Sequence, residues 1–356
     1  MAQLLPDDFA IPKGSWIVVT GVNGYIASNI ADQLLHHGYN VRGTVRALSK
    51  GEWMKALFET KYKDCVFELA QVEDVTRPGA FEQALQGASG VVHVATVFGG
   101  EADVIQRVID MNTNLLATAS QEPNMKRFVY TSSSEAAIYS SFLEQDASQP
   151  IRVTANTWNE KGVERVSGET SFKSPKAGFD LYAASKTLGE QAIWQWVKEH
   201  EPGFVVNTVL PSVCFGRSID PKNQGHASSS AWPAAIFQNK FDTVWPFLKH
   251  VIPAGAYCVD VDDLSLLHMA GLLHPGVQNE RLFAFGNRFT WSQIISIFQK
   301  LFPDREFPDE PSTQTNKTGN LDVEPAARAE ELLRLFGKPG WSSLGATLRA
   351  NIEDLI

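Results

Sequence analysis

The chain has 356 residues, 44% of them hydrophobic and 20% charged, with a formal net charge of −9 at pH 7. This composition excludes a disordered or fibrous protein. The acidic balance argues against binding to nucleic acid, which needs a basic surface to displace counterions.

Residues 1–14 contain Asp7, Asp8 and two prolines, so they lack the basic start and apolar centre of a secretory signal. No later apolar run approaches the roughly 18 residues that suggest a membrane span. A cytoplasmic protein without a membrane partner is expected. Cys65, Cys214 and Cys258 are odd in number and widely spaced, which reads as reduced buried thiols rather than a disulfide or zinc framework.

Short β-rich apolar runs at 15–20, 41–45, 66–69, 90–95, 127–131 and 205–210 alternate with helical patterns at 25–37, 50–62, 79–86, 102–119 and 180–200. Alternation of this kind is the signature of βαβ units. The fold class expected is therefore α/β, a Rossmann-type doubly wound parallel sheet. A further strand at 281–285 follows more than seventy residues that read as irregular, so a smaller lobe should interleave with the sheet in sequence. The polar, proline-punctuated stretch 303–325 reads as a lid, binding loop or linker.

The run Thr20-Gly21-Val22-Asn23-Gly24-Tyr25-Ile26-Ala27 lies between the first strand and the first helix. Glycine there allows a positive φ and close approach of backbone to pyrophosphate, while the helix start offers free N–H groups. Its G-x-x-G-x-x-A spacing departs from the usual dinucleotide fingerprint and is weak evidence alone. The second strand points to the cofactor. An NAD site places Asp or Glu about 20 residues after the glycines, yet 39–51 contains no acidic residue and instead carries Arg42, Arg46 and Lys50. Guanidinium groups pair bidentately with phosphate, so NADPH/NADP+ is favoured, with Arg46 and Lys50 as its contacts and Arg42 read as a solvated strand-edge charge. Residues 1–211, completed by about 257–286, form the expected NADP-binding domain; 212–256 and 287–356 form the substrate-binding lobe.

In Tyr182-Ala183-Ala184-Ser185-Lys186 the tyrosine and lysine stand four residues apart on a predicted helix, sharing one face. A neighbouring ammonium stabilises phenolate, so Lys186 is expected to lower the pKa of Tyr182. The run Arg127 to Ser134 ends the fifth strand at the carboxyl edge where open α/β sheets bind ligands. A serine hydroxyl there can stabilise developing negative charge. Ser133 is the choice, with capping or turn bonds expected for Ser132 and Ser134. His93, His226, His250 and His268 have no ligand-like spacing, so no metal site is expected and satisfied or surface histidines are the default.

On these three motifs, taken in order, the sequence resembles the extended short-chain dehydrogenases/reductases. It is most similar to the aldehyde reductase II-type carbonyl reductases, relatives of methylglyoxal reductase and dihydroflavonol reductase. The resemblance also covers 41–50, Val92-His93-Val94-Ala95, Val209-Leu210-Pro211 and 335–341. It implies that Ser133, Tyr182 and Lys186 form a catalytic triad, with Lys186 also holding the nicotinamide ribose. It implies that Gly21, Asn23, Gly24, Tyr25, Ile26 and Thr131 belong to the cofactor site, that Asp74 and Val75 approach adenine, that Ala95 and Thr96 line the cofactor's middle, and that Pro211 and Val213 contact nicotinamide. Asn112 matches in part the asparagine that supports a proton relay in other members.

The substrate is expected to be a small-molecule carbonyl compound, an aryl ketone or keto ester, in a cleft that includes Phe98 and Trp232 and draws on 156–179, 212–257 and the stretch near Pro311. The oligomer is expected to be a monomer or homodimer. A nucleotide-sugar epimerase or dehydratase on the same scaffold is one alternative; its diphosphate clamp is usually rich in Arg, whereas 212–257 contains only Arg217. A regulator that senses NADPH without turnover is the other, and it has no need of Ser133, Tyr182 and Lys186 together.

Overall fold

The computed structural model describes residues 9–101, 103–138, 150–169, 171–309 and 321–356. Its first half alternates strand and helix as expected: β1 (Trp16–Val19), α1 (Tyr25–His36), β2 (Asn40–Val45), α2 (Glu52–Lys61), β3 (Phe67–Gln71), α3 (Glu82–Leu85), β4 (Ala88–His93), α4 (Val104–Ala119) and β5 (Arg127–Thr131). Next come β6 (Ile151–Val153), α5 (Glu160–Val166), α6 (Pro175–His200), β7 (Val205–Pro211), β8 (Val213–Phe215) and three short helices, α7 (Pro221–Gln224), α8 (Ala231–Phe237) and α9 (Trp245–Val251). β9 (Ala256–Asp260), α10 (Val261–Leu273), β10 (Arg281–Ala284), β11 (Asn287–Phe289), α11 (Trp291–Leu301), β12 (Leu321–Val323), α12 (Ala326–Leu335) and α13 (Leu344–Asn351) complete the described chain.

Seven strands form one parallel sheet in the order β3-β2-β1-β4-β5-β7-β10. The fold is the Rossmann-type doubly wound α/β sheet. β1 shows why such a strand is apolar throughout. Ile17 and Val19 join the core built with Ile30 and Leu34 of α1 and Leu264 and Leu267 of α10, whereas Val18 joins the opposite core with Leu115 of α4 and Ile193 of α6. A strand buried on both faces has no polar alternation. The strand order reverses between β1 and β4, which opens a crevice at their carboxyl ends.

The stretch between β7 and β10 is not the irregular segment that its prolines and glycines suggest. It contains α10, in which Asp262 is the one residue that is not buried. A helix surrounded by protein shows no apolar stripe, so periodicity could not reveal it. β8, β9 and β11 form a separate sheet, parallel between β8 and β9 and antiparallel between β9 and β11. β6 pairs with β12. These strands are too short for a pattern to register.

α6 also begins earlier than the sequence reading has it. Ser174 accepts a hydrogen bond from the amide of Ala177 (3.2 Å) and Pro175 occupies the first turn, a paired start signal that carries the helix to Tyr182 with more than a full turn behind it. The lobe has its own core, in which Phe215, Phe237, Phe289, Trp291 and Phe298 are buried together. Trp232, one of the two aromatics expected in the substrate cleft, packs partly buried against this core. Pro311 lies outside the described residues.

Candidate active site

The crevice is a single open cavity of about 1320 Å³ running from the β1–α1 turn to the lobe. At one end Gly21 adopts φ +63°, and a Cβ on it would sit 3.2 Å from the Cβ of Ala95. Gly24 starts α1 with no side-chain cap, so the first-turn amides face the crevice without a competing acceptor from their own chain. Asn23, Tyr25 and Ile26 also line it. The Tyr25 hydroxyl is buried and donates to the carbonyl of Gly216 (3.0 Å), tying α1 to the lobe.

Asp74, Val75, Ala95 and Thr96 line the middle of the cavity. Asp74 accepts from both the amide and the hydroxyl of Thr76 (3.0 and 2.6 Å), which lowers its pKa. The Thr96 hydroxyl is a buried polar atom on this wall without a protein partner. A glycine cradle, an uncapped helix start and an orphan hydroxyl together fit a dinucleotide.

Arg46 is exposed at the cavity rim. Lys50 is exposed on the turn 48–50 and is not part of the wall. Arg42 is not the solvated charge expected: its guanidinium pairs with Glu68, donates to the carbonyls of Ala84 and Gln86 (2.8 Å each), and lies 5.0 Å from the Trp16 ring centre. These partners hold it on β2, away from the cavity wall. Arg107 of α4 lines the same end. It went unnoticed because a lone arginine on an amphipathic helix looks like any solvated face.

β5 and α6 bring Thr131, Ser133, Tyr182 and Lys186 to the opposite wall, with Pro211 and Val213 alongside. The three serines after β5 have distinct settings. Ser132 donates to Glu190 Oε2 (2.6 Å). Ser133, rather than a neighbour, makes the capping bond, accepting from the amide of Glu135 (3.2 Å). Ser134 lines the cavity within the turn that follows.

Burial pushes the Tyr182 phenol up to about 12; the Ser133 hydroxyl beside it acts in the opposite direction and the Glu135 carboxylate adds to the rise. Burial brings the Lys186 ammonium down to about 8, opposed by the charge of Glu190. The expected depression of Tyr182 by Lys186 is therefore absent from this geometry. Lys186 Nζ donates to the carbonyl of Thr131 (3.0 Å) and sits 5.2 Å from the Tyr130 ring centre, while desolvation dominates at the phenol.

Thr131 directs its hydroxyl away from the cavity to His268 Nε2 (2.8 Å), whose Nδ1 faces the carbonyl of Leu264 (2.8 Å). Asn112 is likewise a structural hub. The Thr20 hydroxyl oxygen accepts from the amides of Val94 and Ala95 (3.0 Å each), so its proton goes to His93 Nδ1 (2.8 Å). His93 Nε2–H then donates to Asn112 Oδ1 (3.0 Å), and Asn112 Nδ2 donates to the carbonyl of Gly189 (3.0 Å). His93 and His268 are satisfied core histidines, held neutral by burial with pKa values of about 3 and about 4.

Around Tyr182 the wall turns aromatic. Phe98 is 74% exposed and stacks near it, with ring centres 6.2 Å apart; Phe179, one turn earlier on α6, approaches to 5.9 Å. Trp232 and Phe247 line the lobe side. Phe179 could have been found from its spacing of three residues before Tyr182. Cys65 is half-buried and Cys214 and Cys258 are buried, all as free thiols; burial raises Cys258 to about 12. Among the described residues no His, Cys, Asp and Glu side chains converge as a metal-ligand set, and no helix is long and apolar enough to cross a membrane.

The model of the NAD dependent epimerase/dehydratase family matches residues 17–242. The sequence is 34% identical to aldehyde reductase 2 of Sporidiobolus salmonicolor, over 98% of this chain and 97% of that one. It is 36% identical to ketoreductase adrE of Penicillium rubens, over 96% and 97%. The fold is shared with Gre2 from Candida albicans in its complex with NADPH, at a TM-score of 0.76 and 24% identity, covering 96% of this chain and 98% of that one.

Proposed function

Since the chain belongs to the NAD dependent epimerase/dehydratase family, within the extended short-chain dehydrogenases/reductases, we propose that it is an NADPH-dependent carbonyl reductase that converts aryl ketones, keto esters or similar aldehydes and ketones to alcohols. One observation carries the reading: the glycine turn, Arg46, Ser133, Tyr182 and Lys186 all face one cavity. The relatives named aldehyde reductase and ketoreductase support it.

Gly21, the start of α1, Arg46, Thr96 and Lys186 would hold the cofactor. Bound there, NADPH would supply hydride for the carbonyl carbon. The chain's own residues handle the oxygen. Ser133 donates a hydrogen bond to it, and the Tyr182 hydroxyl transfers its proton as negative charge develops. A Tyr182 phenol held up at about 12 stays protonated at neutral pH, as a proton donor must. The phenolate left behind regains its proton from solvent by way of Lys186. Phe98, Phe179, Trp232 and Phe247 give the carbonyl's substituents an apolar, largely aromatic bed.

The epimerase or dehydratase alternative loses support from Arg217, the one arginine in 212–257. Its guanidinium is held by Asp32 (2.9 Å) and Asp262 (3.1 Å), so it is committed to joining the lobe to α1 and α10. Following NADPH absorbance with a panel of aryl ketones and keto esters tests the proposal. Oxidation of NADPH with alcohol formation is expected; tight NADPH binding without turnover across the panel would overturn it in favour of a sensor.

A further inference from the structure

Glu190 lies on α6 four residues beyond Lys186 and eight beyond Tyr182, at the spacing that continues the same helix face. It is completely buried, and both carboxylate oxygens are engaged. Oε1 accepts from Thr208 Oγ (2.7 Å), Arg281 Nε (2.8 Å) and Trp194 Nε1 (3.3 Å); Oε2 accepts from Ser132 Oγ (2.6 Å) and Arg281 Nη2 (3.2 Å). Arg281 of β10 is itself fixed. Its other terminal nitrogen donates to the carbonyls of Ala155 and Thr157 (2.8 Å each), and its guanidinium lies 3.8 Å from the Trp158 ring centre.

A buried ion pair is a poor source of net stability compared with apolar residues of the same volume, because both charges lose their hydration. Its placement here suggests another use. Ser132, bonded to Glu190, immediately precedes Ser133, and its amide is tied to the carbonyl of Val209 on β7 (2.8 Å). Lys186 is buried one turn away on the other side. The carboxylate therefore holds the side chain of the residue just before one site residue and stands a helical turn from another.

We propose that Glu190, clamped by Arg281, is a positioning residue that orients the Ser133 turn through Ser132 and supplies the negative charge that keeps the buried Lys186 ammonium protonated. This rests on the reductase reading for its role in turnover. The electrostatic part stands without it. The charged or titratable groups next to Lys186 and Glu190 are Tyr130 on β5, His93 on β4 and Arg281 on β10, with Tyr182 one turn back on α6 and Glu135 acting on Tyr182. His93 is neutral and the two tyrosines are protonated at neutral pH, so Glu190, Glu135 and Arg281 are the charges that matter.

The test uses the full chain carrying 13C-labelled lysine, with the Lys186 signal identified by its loss in Lys186→Met. Titration without cofactor reads the ammonium directly, and steady-state reduction reads kcat and KM. Glu190→Gln keeps the shape and most acceptors but removes the charge. It is expected to move the Lys186 titration, and with it the alkaline limb of activity, down by at least one pH unit, and to lower kcat at least tenfold with little change in the KM for NADPH. Arg281→Gln removes the opposing cation and should move the same titration upward, which keeps the idea testable if Glu190→Gln does not fold. Ser132→Ala should lower kcat and leave the titration in place. An unmoved Lys186 signal in a folded Glu190→Gln or Arg281→Gln variant overturns the proposal. A wild-type chain that shows these shifts in the titration but reduces no carbonyl would sink the reductase reading instead.

Discussion

The floor and the rim of the cavity are built on opposite principles. The floor is Ser132 and the layer behind the lining, where Asn112, His93, Thr20 and Glu190 are buried and, like Ser132, hydrogen-bonded to one another or to backbone. At the rim, Arg46 is exposed, and Phe98 and Phe247 present 74% and 40% of their surfaces. A saturated polar network permits one geometry, because any shift leaves a desolvated donor or acceptor without a partner. An exposed aromatic or arginine can change rotamer at little cost. The contrast implies that floor residues determine whether chemistry occurs, and rim residues determine which molecules undergo it.

Substitutions can break that division. Tyr182→Phe, on the floor side, should show the largest effect, a fall in kcat of about 10²- to 10⁴-fold with NADPH affinity retained, read by steady-state kinetics and cofactor titration. Near-normal turnover would remove Tyr182 as the proton donor. Arg46→Asp, at the rim, would remove the proposed charge-assisted contact to the cofactor phosphate, worth about 1.5–3 kcal/mol, so the ratio of kcat/KM for NADPH to that for NADH should fall by about 10- to 100-fold. An unchanged ratio would show that the basic second strand does not select the phosphate.

Asn112→Ala should leave the buried His93 Nε2–H without a partner, while the Gly189 carbonyl keeps its helical bond within α6. The orphaned group costs about 1–3 kcal/mol, so a lower Tm is the expected result. A variant as stable as the parent but slow in turnover would point instead to a proton relay through Asn112. Phe98→Ala has the smallest expected effect. Losing an aromatic contact of about 0.5–1.5 kcal/mol should lower kcat/KM for an aryl ketone by about two- to tenfold and spare a small aliphatic aldehyde. Equal losses on both substrates would place Phe98 with the floor.

Legibility in the sequence followed the same line. The glycine turn, the strand-end serines and the Tyr182–Lys186 pair were readable because each is set by local geometry, a βα turn, a strand terminus or one helical turn. All three motifs reach the same cavity. Strand alternation puts Arg42 and Arg46 on one face, and the sequence separates a solvated Arg42 from a cofactor-facing Arg46 only by the latter's place at the strand's carboxyl end. Only the neighbours Glu68 and Trp16 distinguish a clamped guanidinium from a free one. The charge of Lys186 pointed to a lowered phenol at Tyr182, but a motif cannot report how deeply its residues are buried, and desolvation reverses the direction.

What the sequence by itself determined is the scaffold and the candidate residues: the parallel sheet, the glycine turn, and a serine, a tyrosine and a lysine at fixed local spacings. Tertiary structure alone decided the partners and charge state of those groups. Glu190 could be seen four residues past Lys186, yet its significance depends on Arg281, 91 residues away, and on the loss of water around both. α10 was hidden for a related reason: a helix enclosed on all sides carries no periodic record of its environment. Local geometry is written in spacing, whereas desolvation and long-range pairing exist only once the chain has closed on itself.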